Sequence, residues 1–133
     1  MKITCVVGLP GSGKTHQIIT NRQSVQWVVD DIFTLKELPC QKAFKFLDML
    51  WIADPYFCRT STRQRAHDVL VNMYGVSPEW RYFENAPEKC KVNVQHRADG
   101  RRVIGLINSL SKVYAIPPDV TPMPIWQPEQ QRI

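Results

Sequence analysis

Long apolar runs are missing from this chain. No stretch approaches the roughly 20 residues that a membrane span needs. The first apolar run (Ile3, Cys5, Val6, Val7) is broken by Gly8 and Pro10 before it takes on the pattern of a signal peptide. Metal-type cysteine pairs are missing too. Cys5, Cys40, Cys58 and Cys90 form no C-x-x-C pair and have no histidine partner at zinc spacing. That argues against a disulfide framework or a zinc site and for reduced thiols in a cytosolic protein. There is no internal repeat and no low-complexity tract. Glycine is scarce, six in 133 residues, and three of the six fall between residues 8 and 13. With 44% hydrophobic and 22% charged residues, the composition is that of one ordinary globular domain.

The clustered glycines belong to Gly8-Leu9-Pro10-Gly11-Ser12-Gly13-Lys14-Thr15, a complete G-x-x-x-x-G-K-[ST] phosphate-binding pattern. It follows an apolar, strand-like run and opens a helix-like stretch, the context this motif requires. Glycines let the backbone turn tightly and expose consecutive N–H groups to phosphate oxygens. The helix beginning near Lys14 adds the positive end of its dipole. Lys14 has the length and charge to reach β- and γ-phosphates, and the Thr15 hydroxyl can ligate Mg²⁺. The residues from Gly8 through Pro10, Gly11, Ser12 and Gly13 to Thr15 therefore form the expected nucleotide-binding set.

Apolar runs alternate with helix-like stretches along the chain, the signature of a parallel sheet covered by helices. Strands are expected at about residues 2–7, 25–29, 49–53 and 80–84, with a first helix at about 14–22. A second helix carries Ala66, Val69, Leu70 and Met73 on one face, with a capping box from Ser61 and Gln64 and a stop at Gly75. A last helix, about 101–114, aligns Val103, Leu106, Ile107, Leu110 and Tyr114. Residues 32–47 stay ambiguous because Pro39 interrupts any single helix there. Trp27, Trp51 and Trp80 fall in strands and read as core. Residues 85–100 read as a basic segment poor in apolar residues. Five of the ten prolines lie from Pro117 onward, so this tail is expected to be extended and pinned to the body by Ile125 and Trp126.

Acids are outnumbered, 12 against 17 Lys and Arg, for a net charge of +5. The excess is concentrated. Residues 89–102 hold Lys89, Lys91, Arg97, Arg101 and Arg102 against Asp99, and Arg59, Arg63 and Arg65 form a second cluster. Such clusters suit a polyanionic ligand, either nucleotide phosphates or a nucleic-acid backbone, and place Arg59 and Arg63 among the candidate substrate contacts. The segment before the last helix can fold over a bound nucleotide and supply an arginine to a transferring phosphoryl group; Arg97 is the first choice, with Arg101 and Arg102 as competitors.

Ligands of open α/β sheets bind outside the carboxyl ends of the strands. Asp30-Asp31 follows the second strand and Asp54 the third. Phosphoryl transfer needs a held Mg²⁺ and a group that positions or deprotonates the attacking hydroxyl. Asp54 fits metal support and Asp30 or Asp31 the base. The same acids also have a plainer reading, as a turn cap before Pro55 and as a helix cap.

With these residues in place, the chain resembles the small phage P-loop kinases: the kinase domain of phage polynucleotide kinase and the phage kinases of 5-hydroxymethyluracil in DNA. The resemblance rests on the glycine-rich loop, on Asp30-Asp31, and on Trp51-Ile52-Ala53-Asp54-Pro55-Tyr56 followed by an Arg-rich helix start. It also rests on Glu88-Lys89-Cys90-x-x-Asn93-x-x-x-Arg97, which looks like the family's lid. It covers about residues 1–118, with the lid at about 86–102, and leaves 119–133 outside as a Pro-rich tail. The resemblance implies a three-layer α/β P-loop kinase fold, a parallel sheet of about four strands with helices on both faces. It implies that Asp30 activates the acceptor hydroxyl, that Asp54 lies near the acceptor, and that Arg97 is the lid arginine. One departure stands out. The polynucleotide kinase carries an acceptor-side arginine three residues after its catalytic Asp, and here that position is Phe33. An apolar Phe33, with Asp31 beside it on the acceptor side, suits stacking on a base more than reading a DNA end.

Other classes fit less well. N-K-x-D and D-x-x-G are absent, against a GTPase, and residues 32–47 are short for the inserted acceptor domain of a nucleoside monophosphate kinase. The expectation is a cytoplasmic, ATP- and Mg²⁺-dependent kinase without a membrane partner. Its acceptor is a hydroxyl on DNA or a nucleotide, a 5-hydroxymethylpyrimidine base or a polynucleotide 5′-hydroxyl foremost. The alternative is a nucleotide-gated module that binds DNA or protein and transfers no phosphate.

Overall fold

The computed structural model describes residues 2–21, 25–29, 37–95 and 100–127. Four strands, β1 (Lys2–Val7), β2 (Gln26–Val29), β3 (Met49–Ala53) and β4 (Glu79–Tyr82), form one parallel sheet in the order β2-β3-β1-β4. The two central strands are predominantly apolar, Lys2 and Thr4 of β1 apart, because both of their faces are covered. From Ile3 to Val7 and from Met49 to Ala53 every residue is buried, with Leu50, Trp51 and Ile52 fully so. Each buried Val, Leu, Ile or Met among them contributes roughly 1.5–3 kcal/mol by leaving water.

Five helices complete the described chain: α1 (Lys14–Thr20), α2 (Gln41–Phe44), α3 (Thr60–Tyr74), α4 (Pro87–Val94) and α5 (Gly100–Ser111). A 3₁₀ turn, Pro55–Cys58, joins β3 to α3. The path from β1 to β2 runs one way across the sheet, and the path from β3 to β4 runs the other way, past β1. Right-handed crossovers therefore send α1 and α3 to opposite faces and open a crevice between β1 and β3 at their carboxyl ends. Register brings those ends together: Val6 lies beside Ala53, Val7 beside Tyr82, and Val29 beside Ile52. No helix among the described residues is long and apolar enough to cross a membrane.

Several local expectations are corrected. The middle helix starts at Thr60, one residue before Ser61, and Arg59 at its N-cap makes no side-chain capping bond. Gln64 instead donates to Asp68 Oδ1 at 3.0 Å, so the capping box does not form. Trp27 sits on edge strand β2, 40% exposed, with its indole N–H donated to Glu37 O at 2.7 Å. It is no core residue, unlike Trp51. The segment read as apolar-poor contains α4, whose Cys90 and Val94 are buried and whose Lys89 and Lys91 pair with Glu84 and Glu88 at 3.2 and 3.0 Å. Two small residues spaced by a turn suffice to seat a helix when its other faces stay wet. The last helix ends at Ser111, and Tyr114 is buried in the turn beyond it, its hydroxyl donated to Phe83 O.

Residues 121–127 return to the sheet. Met123 N–H donates to Tyr82 O at 2.7 Å and Glu84 N–H to Met123 O at 2.8 Å, a single parallel bridge beside the end of β4. This rung pairs the chain just past the end of edge strand β4 and carries it on toward the crevice.

Candidate functional site

The loop between β1 and α1 passes through two backbone conformations that favour glycine, at Gly11 (φ +83°) and Gly13 (φ +109°). Space imposes the same choice. A Cβ on Gly11 would lie 2.6 Å from Cys90 O and 2.8 Å from Val94 Cγ1, and a Cβ on Gly13 would lie 2.7 Å from Trp126 Cβ. Helix α4 and the C-terminal segment thus press on the loop from outside. Trp126 N–H donates to Ser12 O at 3.1 Å. Asn93 Nδ2 donates to Gly11 O at 2.8 Å and to Trp126 O at 2.6 Å.

A cavity of about 370 Å³ opens beside this loop, lined by Pro10, Gly11, Gly13, Lys14, Thr15 and His16 on one side. Ala53, Pro55, Asn93, Val94 and Trp126 line the other. It lies in the crevice between β1 and β3 that the strand order creates. Lys14 Nζ donates to Gly8 O at 2.8 Å and Leu9 O at 3.1 Å, curling over its own loop. Its charge reaches Cys58 and Cys90, opposing the burial that pushes both thiols up to about 11. The start of α1 contributes main-chain N–H groups and a helix dipole, so the arrangement can receive an anion on amides and one ammonium. The indole of Trp126 stacks on the His16 imidazole, centroids 4.4 Å apart and planes 19° from parallel. A second cavity, also about 370 Å³, adjoins it, bounded by His16, Gln17, Phe83, Met123, Ile125 and Trp126.

Asp54, buried directly after β3, accepts Tyr56 N–H on Oδ1 at 2.8 Å and so caps the 3₁₀ turn. Its neighbours Ala53 and Pro55 line the cavity. Arg59 lies over the Tyr56 ring at 5.7 Å. Arg63 is buried, with Nη2 donated to Ala115 O at 2.7 Å and its guanidinium 5.3 Å above the Tyr82 ring. Neither arginine lines the cavity at the loop. Asp30, Asp31, Phe33 and Arg97 lie outside the described residues, as does the Arg101 side chain; β2 ends at Val29, immediately before Asp30. Arg102 is exposed. The residues that local patterning did not single out for the site are Asn93, Trp126, His16 and Pro55. Asn93 stood within the lid-like motif and Trp126 within the Pro-rich tail, but no local pattern signals that both meet at the loop.

Fold and site together define an α/β protein with a glycine-rich loop at the carboxyl edge of a parallel sheet. No family profile matches the chain, and no solved structure matches it significantly. The uncharacterized protein R277 of Acanthamoeba polyphaga mimivirus is 31% identical over 128 residues, covering 86% of this chain and 87% of that protein. The chain belongs to the family of that viral protein.

Proposed function

We propose that this chain is an ATP- and Mg²⁺-dependent P-loop kinase that moves the γ-phosphate to a hydroxyl on DNA or a nucleotide, a 5-hydroxymethylpyrimidine base or a 5′-hydroxyl foremost. The observation that carries the reading is the meeting of the positive-φ loop, Lys14 and Thr15 at one cavity in the sheet's crevice. On this reading Lys14 and the loop amides hold the phosphates and Thr15, with Asp54 in support, holds Mg²⁺. The ion supplies charge neutralisation when bound. The base docks in the adjoining cavity against Phe83, Ile125 and Trp126. Asp30 accepts the proton of the acceptor hydroxyl as its oxygen bonds to the γ-phosphorus and ADP leaves. Arg97, from the lid of about residues 86–102, neutralises charge spreading over the transferring group.

The test incubates the protein with γ-labelled ATP and Mg²⁺ against 5′-hydroxyl DNA and RNA, 5-hydroxymethylpyrimidine DNA, and free nucleotides. Transfer to one acceptor, abolished by Asp30→Asn with ATP affinity retained, is the expected result. Intact ATP binding with label on none of them replaces the kinase with a nucleotide-gated binding module.

A further inference from the structure

Asn93 stands on α4, away from the glycine-rich loop in sequence, yet one amide group ties three segments together. Its Nδ2 carries two hydrogens, and both are used, on Gly11 O at 2.8 Å and Trp126 O at 2.6 Å. Both partners are carbonyls, so the amide fits in one orientation only; reversed, Oδ1 would face two oxygens. The second tie is the Trp126 main chain, whose N–H holds Ser12 O at 3.1 Å. A trans peptide directs its C=O and N–H in opposite directions. The hold on Ser12 O therefore turns the Gly13 N–H away from the C-terminal segment. The hold on Gly11 O fixes the preceding peptide plane, whose own N–H, that of Ser12, is donated to Leu9 O at 3.1 Å within the loop. Asn93 acts on the Gly13 N–H through its hold on Trp126 O. Cys90 O and Trp126 Cβ lie only 2.6 and 2.7 Å from where a Cβ would stand on Gly11 and Gly13, so α4 and the C-terminal segment pack directly against this part of the loop.

We propose that Asn93 and the main chain at Trp126 are positioning residues of the phosphate site, bracing the loop on both sides of Ser12 and holding the Ser12–Gly13 peptide plane in the orientation that presents the Gly13 N–H to phosphate. This rests on the phosphate-binding reading of the loop and adds two parts that lie 82 residues or more from it. Preorganised amides bind an anion without first being turned, and that is what the ties supply.

The experiment measures the affinity of the full chain for ATP and for inorganic tripolyphosphate by calorimetry, in Mg²⁺ and well below each variant's unfolding midpoint. Asn93→Leu keeps the branched heavy-atom skeleton and removes both donors, and Asn93→Ser serves where leucine prevents folding. Each is expected to weaken both ligands about tenfold or more. Trp126→Pro deletes the main-chain donor and is expected to weaken tripolyphosphate as well as ATP. A lowered unfolding midpoint with unchanged tripolyphosphate affinity would overturn the proposal, because Asn93 would then be structural only. Loss of ATP affinity alone would also overturn it, by assigning the effect to the base. If the unaltered protein binds neither ligand, the phosphate-site reading fails and takes this inference with it; binding by the unaltered protein with unaffected variants sinks the inference alone.

Discussion

One wall of the cavity, from Pro10 to His16, is continuous in sequence and takes its shape from its own glycines and its own helix. The facing wall is assembled from Ala53, Pro55, Asn93, Val94 and Trp126, which only the sheet order and long-range main-chain bonds bring together. The contrast separates two sources of a binding site. A continuous wall needs a local conformational code, and a spacing of glycines supplies it. An assembled wall needs the whole fold, because each of its residues is placed by a different element.

The sharpest way to test the division is to strike the continuous wall first. Lys14→Ala should reduce phosphoryl transfer by at least two orders of magnitude and weaken ATP binding, with the sheet intact by circular dichroism. Retention of binding and turnover would remove the loop from the site. Gly13→Ala strikes the seam between the walls, since the new methyl must adopt φ +109° and meet Trp126 Cβ at 2.7 Å. It should cost about 1–3 kcal/mol of stability, read from chemical denaturation. It should also undock the C-terminal segment, read as a change in tryptophan fluorescence. An unaltered stability and emission would mean that the seam is loose.

The smallest effect tests the elements behind the assembled wall, through Cys58 of the 3₁₀ turn and Cys90 of α4. Burial pushes Cys58 and Cys90 up to about 11 from an ordinary 9.0, so the folded protein keeps protons that the unfolded chain releases above pH 9. Their contribution is fully present below pH 9 and is lost as pH rises toward 11. The thermal midpoint should therefore fall across that window, and Cys58→Ala with Cys90→Ala should flatten the fall. An equally steep decline in the double variant would assign it to other groups.

The same division explains what was legible in the residues alone. The four strands, the glycine loop and the buried faces of Ala66 and Leu70 or Ile107 and Leu110 follow from apolar runs and helical spacing, which are local and place these features within a residue or two. Misreadings arose where tertiary surroundings decide. Trp27 looks like core until β2 is seen to be an edge strand, and Ser61 looks like a cap until the preceding 3₁₀ turn starts the helix a residue early. Helix α4 was hidden because its buried residues, Cys90 and Val94, are few and set among charges. For Asn93 and Trp126 the partners are main-chain carbonyls, and a carbonyl leaves no trace in a sequence.

The tie between Asn93 and Gly11 spans 82 residues, and the hold of Trp126 on Ser12 spans more. During synthesis the glycine-rich loop leaves the ribosome before the segment that backs it, which comes more than a hundred residues later. Contacts of such sequence separation form late, after their loop-closure entropy has been met by the rest of the sheet. The nascent chain therefore carries its most recognisable motif long before it carries the site.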